Sequence, residues 1–172
     1  MLGGVVLFII IVGLITKTNR GETTILSPYL HSINTKPTPI PAGLSNLKEI
    51  MIGKTSFMVN IANTSATRQK GLGGVVAMPD NEGMLFIFDS KKLSPQMARF
   101  WMKDMLIPLD FIWITDDRVV EITPNVAAPA PNASDRDLQI YEPHEVIDYV
   151  LEINAGVAAK NNIKVGDNFI LK

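Results

Sequence analysis

Short apolar runs of strand length, each ended by turn-forming residues, constrain the fold of this chain most strongly. The clearest runs are Leu109–Thr115 and Tyr149–Ile153, and a third segment, Thr55–Ile61, alternates apolar and polar residues. Strands have this pattern over about four to eight residues, whereas a helix repeats its apolar residues every three to four positions. Turn residues follow at Pro79–Gly83 and at Asp116-Asp117, so successive strands can reverse direction.

About seven segments have a strand pattern, and two others have helix signals. The predicted strands are Thr55–Ile61, Met84–Phe88, Phe100–Lys103, Leu109–Thr115, Val119–Val126, Tyr149–Ile153 and Asn168–Leu171. Thr64 or Ser65 can cap a short helix that ends at Gly71, and a second helix can open near Gly156 and run through Asn161. We therefore predict a mainly β domain, a jelly-roll-like sandwich or flattened barrel of about seven short strands with two short helices.

The amino-terminal part differs in composition from this domain. Residues 2–16 carry no charge and are mostly apolar. They are fewer than the roughly 17–25 residues of a typical spanning helix. We predict a hydrophobic helix at residues 1–16 that anchors the chain in a membrane; a signal peptide that is removed is the alternative, although no clear cleavage site follows. Residues 17–49, with alternating prolines at positions 37, 39 and 41, predict a disordered linker, which leaves residues 50–172 for the β domain.

The orientation of the anchor rests on two opposing features. Lys17 and Arg20 follow the apolar segment, and the positive-inside rule would place the following residues in the cytoplasm. The Thr- and Pro-rich linker instead resembles a stalk that holds a domain away from a membrane surface. We expect a membrane-anchored protein with its domain on the extracytoplasmic side.

Composition excludes several classes of function. The 16 Lys and Arg nearly balance the 17 Asp and Glu, and no basic-aromatic patch indicates nucleic-acid binding. The chain has no cysteine, which removes disulfides and thiolate chemistry. The only histidines are His31 and His144, too few for a typical zinc site, and the glycines at 71–74 follow a helix rather than a strand. We expect no metal, no cofactor, no nucleotide and no nucleic acid.

Two carboxylates interrupt apolar runs. Asp110 lies in Leu109–Thr115, and Glu152 lies in Tyr149–Ile153. A buried carboxylate needs a cation or several hydrogen-bond donors, because stripping its water without replacement costs several kcal/mol. The expected cationic partners are Arg68, Arg99 and Lys103. Two interpretations follow: buried ion pairs that fix strand register, or a polar pocket built from the same groups.

The segment Phe100–Lys103 combines aromatic and cationic residues. Alternation would place Trp101 and Lys103 on one face and Phe100 and Met102 on the other. An indole ring beside a charged group is typical of carbohydrate sites, where sugar C–H groups stack on the ring. The alternative is that Trp101 belongs to the hydrophobic core.

Several short motifs resemble a known family. They are Arg68–Leu72, Glu82–Phe86, Phe100–Lys103, Ile107–Asp110, Tyr149–Gly156 and Val165–Asp167. In this order and spacing they are similar to domain of unknown function family 192, also called uncharacterised protein family 0127, over about Lys54–Leu171. The resemblance implies a β-rich, jelly-roll-like fold in exported or membrane-tethered prokaryotic proteins, with no established reaction. Members often carry a Met and a basic residue after the Gly-Leu pair, where this chain has Gly73 and Gly74.

Three functions remain open from the sequence. The leading hypothesis is a non-catalytic binding or accessory module at the cell envelope, with a carbohydrate or an envelope protein as its ligand. The alternatives are a hydrolase of envelope polysaccharide that uses Asp110 and Glu152, and a purely structural partner domain. The candidate binding residues are Arg68, Glu82, Trp101, Lys103, Asp110, Glu152 and Asn154.

Overall fold

The computed structural model describes residues 47–88 and 98–172, which form a mainly β domain. Its strands are β1 (Lys48–Ile52), β2 (Thr55–Ala62), β3 (Glu82–Ile87), β4 (Leu109–Thr115), β5 (Arg118–Val126), β6 (Tyr149–Asn154) and β7 (Phe169–Leu171). Two short helices, α1 (Ser65–Lys70) and α2 (Val157–Lys160), and one turn of 3-10 helix at Asp135–Asp137 complete the described secondary structure.

All seven strands belong to one curled sheet with the order β5-β4-β6-β3-β2-β1-β7. The β2–β3 pair is parallel, and the other pairs are antiparallel. The two edge strands meet at one end of the sheet through a bridge between Arg118 and Asn168. The prediction of a mainly β fold with about seven strands and two short helices is confirmed. The single sheet forms a half-barrel rather than a sandwich of two sheets.

A hydrophobic core covers each face of the sheet. One core contains the aromatic side chains Phe100, Phe111 and Trp113 and packs beneath the loops around α1. The other core includes Ile112 of β4 and the buried residues of α2. Because neighbouring residues of a strand point to opposite faces, each central strand contributes to both cores. We call them the α1 face and the α2 face.

Local sequence signals account for the ends of several elements. Thr64 caps α1 through a capping box with Thr67, and Gly71 ends the helix with a positive φ of 48°. Asp116 and Asp117 both have positive φ, as a two-residue hairpin turn between β4 and β5 requires. These predicted turns and caps are confirmed.

The predicted strands differ from the structure in two places. The strand β1 was not predicted, and its first residue, Lys48, falls within the range expected for the linker. Its Ile50 and Ile52 are buried, and it pairs with both β2 and β7. Phe100–Lys103 is not a strand, since only Phe100 makes a bridge, to Tyr141.

The predicted anchor at 1–16 and nearly all of the predicted linker lie outside the residues that the structure describes. Among the described helices, none is long and apolar enough to cross a membrane.

Candidate functional site

A cleft of about 400 Å³ opens on the α1 face of the sheet. Its walls come from α1, from the end of β3 and from the loop that precedes β4, and one residue of β6 reaches it from the sheet. The lining residues are Arg68, Gln69, Lys70, Gly71, Leu72, Phe86, Phe88, Arg99, Phe100, Trp101, Lys103, Asp104, Met105 and Glu152. Of the seven candidate residues from the sequence, four line this cleft: Arg68, Trp101, Lys103 and Glu152.

Glu152 is the buried carboxyl group of the cleft. Its neighbours across the sheet are Met84 on β3 and Phe111 on β4, both of which belong to the core of the α1 face. The residue is only 5% exposed, and no hydrogen bond or ion pair reaches its carboxyl group from the described part of the chain. Burial raises the pKa of Glu152 to about 8. The group is therefore mostly protonated at neutral pH, when it can both donate and accept a hydrogen bond.

Arg68 lies in the last turn of α1 and extends along the cleft wall. Its Nη1 donates a hydrogen bond to the carbonyl oxygen of Ile87 at 3.1 Å, and its guanidinium carbon lies 5.4 Å from the centre of the Phe88 ring. No carboxylate within the described ranges forms an ion pair with it. The side chain is thus held from two sides while most of its N–H donors stay available.

Trp101 and Lys103 form the rim of the cleft. Trp101 is 45% exposed, so the alternative that it belongs to the core is wrong. The Lys103 ammonium lies 5.4 Å from the centre of its ring and also pairs with Asp135. The hydrogen bond to Asp135 raises the pKa of Lys103. Phe100 and Met102 are buried, which agrees with their predicted place on the face opposite Trp101 and Lys103, although the segment is not a strand.

Comparison with known proteins identifies the family. A family profile described as "Uncharacterized ACR, COG1430" and named DUF192 matches residues 48–171. The chain belongs to the DUF192 family. The family resemblance in the motifs is therefore confirmed, and no curated protein sequence matches the chain.

Two crystal structures are similar to this DUF192 domain. One is a candidate transcription regulator from Sinorhizobium meliloti 1021, with 26% identity and a TM-score of 0.62, over 73% of this chain and 94% of that chain. The other is a protein of unknown function from Novosphingobium aromaticivorans DSM 12444, with 32% identity and a TM-score of 0.62, over 72% of this chain and 84% of that chain.

Asp110, a second motif carboxylate of the DUF192 domain, is fully buried away from the cleft. Its Oδ1 accepts hydrogen bonds from the backbone N–H groups of Asn125 and Gly156, at 2.8 and 3.1 Å, and its Oδ2 accepts one from Ala158 at 3.0 Å. The predicted cationic partner is therefore wrong. Backbone donors satisfy this carboxylate, and its role is to hold the end of β5 and the start of α2 against β4.

Asp110 and Glu152 point to opposite faces of the sheet. In the β4–β6 register Asp110 lies opposite Ile153, whereas Glu152 lies opposite Phe111. Ile153 belongs to the core on the α2 face and Phe111 to the core on the α1 face. Side chains paired across a ladder share a face. The hypothesis that the two carboxylates act together across one cleft is wrong.

The remaining candidates, Glu82 and Asn154, are absent from the cleft lining. The Asn154 side-chain amide donates to the carbonyl oxygen of Met78 at 2.6 Å, so it ties the loop before β3 to β6. Glu82 begins β3 beside Met58. Sequence reasoning also missed the cleft residues Lys70 and Phe88, and it named Arg99 only as a possible cationic partner of the buried carboxylates. The alternation could have placed Arg99 in the cleft, because Arg99, Trp101 and Lys103 are alternate residues and therefore lie on the same side of an extended segment.

The described residues contain no group of three or more His, Cys, Asp or Glu side chains that could hold a metal ion. His144 is largely exposed, and its Nδ1 lies 2.8 Å from Glu121 Oε2. The hydrogen bond to Glu121 raises the pKa of His144. This pair lies outside the cleft lining.

Proposed function

We propose that this DUF192 domain is a non-catalytic binding module, that the α1-face cleft is its site, and that carbohydrate is its ligand class. One observation carries the proposal. An exposed indole, Trp101, borders a cleft whose buried carboxyl group, Glu152, has no partner among the described residues. A large exposed aromatic side chain beside a polar floor is the arrangement that saccharide rings require.

A pyranose ring presents both apolar and polar groups to a protein. The C–H groups of a pyranose form an apolar surface that stacks on an aromatic ring, and its hydroxyl groups need donors and acceptors. Trp101 supplies the ring, and Arg68, Lys103 and protonated Glu152 supply polar partners. The cleft volume, about 400 Å³, falls within the roughly 300–1,000 Å³ of small-molecule sites.

The proposal includes a location at the cell envelope. The apolar segment at residues 2–16 and the proline-containing linker that follows support a membrane tether with the domain on the extracytoplasmic side. A net charge of −1 gives no electrostatic support for nucleic-acid binding, although one structural relative is described as a candidate transcription regulator.

The rival functions make different predictions. The hydrolase hypothesis needed two carboxylates in one cleft, and Asp110 lies on the other face of the sheet. A purely structural partner domain would bind no saccharide, and replacement of Trp101 would then have no effect on ligand binding.

A glycan array tests the proposal with the full-length chain in a detergent that has no sugar head group. Hits are then measured by titration calorimetry with the wild type, Trp101→Ala and Val165→Ala. Val165 is a matched control because it is 61% exposed and does not line the cleft. We expect saccharide binding that Trp101→Ala reduces at least about tenfold, since the variant loses the large aromatic surface on which the sugar ring stacks. The Val165→Ala variant should bind as the wild type does. Absence of any hit, or binding that is equal in both variants, would contradict the proposal.

A further inference from the structure

We infer that the ligand of the α1-face cleft is an acidic saccharide, whose oxyanion pairs with Arg68 while its ring lies against Trp101. This inference rests on the proposed function and adds the chemical class of the sugar.

The charges that line the cleft favour an anion. Four cationic side chains line it, Arg68, Lys70, Arg99 and Lys103, against two acidic ones, Asp104 and Glu152. Because Glu152 is buried and mostly protonated at neutral pH, the ionised acids number fewer still. An anionic ligand would therefore enter a positive cleft.

The cations differ in their partners. Arg99 pairs with Glu142 at 2.7 Å, Lys103 pairs with Asp135, and the Lys70 ammonium donates to the carbonyl oxygen of Gly73. The Arg68 guanidinium has a single hydrogen bond within the described residues, to the Ile87 carbonyl oxygen, and no ion pair there. Arg68 and Lys70 therefore have no acidic partner to lose among the described residues, and of these two cations only Arg68 offers the fork of N–H donors that matches an oxyanion.

Arg68 is also held in position before any ligand arrives. The Ile87 carbonyl oxygen fixes one nitrogen, and the guanidinium carbon lies over the Phe88 ring. A guanidinium carries five N–H donors in a fixed fork that matches a carboxylate or phosphate group. Little side-chain entropy remains to be lost when an oxyanion binds, which favours affinity.

Glu152 supports the same ligand class. If Glu152 were ionised, its carboxylate would repel the oxyanion of a ligand in the cleft. The protonated carboxyl group can instead donate a hydrogen bond to that oxyanion. A neutral sugar would leave most Arg68 donors without a charged partner. The arrangement of Arg68, Trp101 and protonated Glu152 therefore favours an acidic sugar over its neutral counterpart.

Matched ligands test this inference on the full-length chain. The probes are uronate oligosaccharides, the same oligosaccharides with each carboxyl group reduced to an alcohol, and sugar phosphates of similar size. Titration calorimetry compares the wild type with Arg68→Gln, Arg68→Lys and Arg118→Gln. Arg118 is the control because it is exposed, also donates to a backbone carbonyl, that of Gly166, and does not line the cleft.

We expect the wild type to bind an acidic form at least about tenfold more tightly than the neutral form, as a charge-assisted hydrogen bond would produce. Arg68→Gln should abolish this preference, Arg68→Lys should retain part of it, and Arg118→Gln should retain all of it. The uronate and phosphate probes separate the two oxyanions. Equal binding of acidic and neutral forms, still dependent on Trp101, would overturn the inference and leave the proposed function standing. Binding of none of these probes would overturn the inference, and the proposed function falls with it when the glycan array also gives no hit.

Discussion

The Oδ2 atom of Asp110 accepts a hydrogen bond from the backbone N–H of Ala158 at 3.0 Å, across 48 residues of sequence. Two further backbone N–H groups, those of Asn125 and Gly156, donate to Oδ1. The first N–H groups of a helix have no partner within the helix. A buried side chain on β4 therefore caps α2 from another part of the chain and stabilises the packing of the α2 face.

Asp110→Asn should lower the free energy of unfolding by about 3 kcal/mol, because hydrogen bonds to a charged acceptor contribute about 1.5–3 kcal/mol each and the amide has only one acceptor oxygen. Urea unfolding of the variant and the wild type measures this difference. Asp137→Asn is the control, because Asp137 is exposed in the 3-10 turn. An unchanged midpoint for Asp110→Asn would show that the three backbone contacts contribute little.

Glu152 should make stability fall as pH rises. The ordinary pKa of 4.5 applies to the unfolded chain, and burial raises the pKa in the folded protein to about 8. Below pH 4.5 the Glu152 carboxyl group is protonated in both the folded and the unfolded state. Between pH 4.5 and about 8 this group is ionised only in the unfolded state, so the unfolded state becomes more stable as pH rises. The folding stability that is present below pH 4.5 is thus lost as pH rises to about 8, and above that pH the free energy of unfolding no longer changes because of Glu152.

The variant Glu152→Gln should be more stable than the wild type at pH 9, by several kcal/mol, and similar to it near pH 4.5. Urea unfolding at both pH values measures the difference. His144 also has a raised pKa and contributes to the pH dependence of stability. Its contribution is the same in both proteins, so it cancels in the difference between the free energies of unfolding of the wild type and Glu152→Gln. Glu145→Gln, at an exposed position, should leave the pH dependence unchanged. Parallel stability curves for the wild type and Glu152→Gln would contradict this account of the buried carboxyl group.

Apolar runs and alternation predicted most strands, and cap and glycine signals predicted both helices. Alternation also placed Trp101 and Lys103 on one face and Phe100 and Met102 on the other, and the burial of Phe100 and Met102 agrees with that division. The donors to Asp110 could not be predicted, because they are backbone N–H groups of β5 and of the start of α2, and no side chain marks them. The opposite faces of Asp110 and Glu152 depend on the β4–β6 register, which within-strand patterns do not specify.

Part of the candidate site could be predicted from the sequence, because alternation along a short segment shows which of its residues share a side. Trp101 and Lys103 are neighbours along the chain, so their common orientation was visible. Their proximity to Arg68 and Glu152 depends on how α1 and β6 pack in three dimensions. The strand β1 was missed because its apolar residues, Ile50 and Ile52, follow a segment interpreted as linker.

Gly83→Ala should destabilise the domain clearly, because an added Cβ would lie 2.5 Å from the carbonyl oxygen of Glu152 and 3.0 Å from Ile153 Cγ2. The backbone oxygen cannot rotate away, so β3 and β6 would have to separate. Thermal unfolding measures the change, with exposed Asn81→Ala as the control. A melting temperature equal to that of the wild type would show that the β3–β6 pairing adjusts without cost.

The proposed tether predicts how the protein fractionates. The full-length chain should sediment with membranes after cell lysis, and a chain that begins at residue 47 should stay in the supernatant, because residues 2–16 carry the apolar segment. Immunoblots of both fractions, after a carbonate wash, measure this. Recovery of the intact full-length chain in the supernatant would contradict the proposed anchor.

Tryptophan fluorescence tests the central claim, that the α1-face cleft binds a saccharide against Trp101. The chain has two tryptophans, and Trp113 is fully buried while Trp101 is 45% exposed. Titration of the full-length chain with a saccharide from the glycan array should shift the emission to shorter wavelength and saturate, because the ligand removes water from the Trp101 ring. Trp101→Phe should lose the shift and keep the Trp113 emission. No saturable shift in the wild type, or the same shift in Trp101→Phe, would contradict the claim.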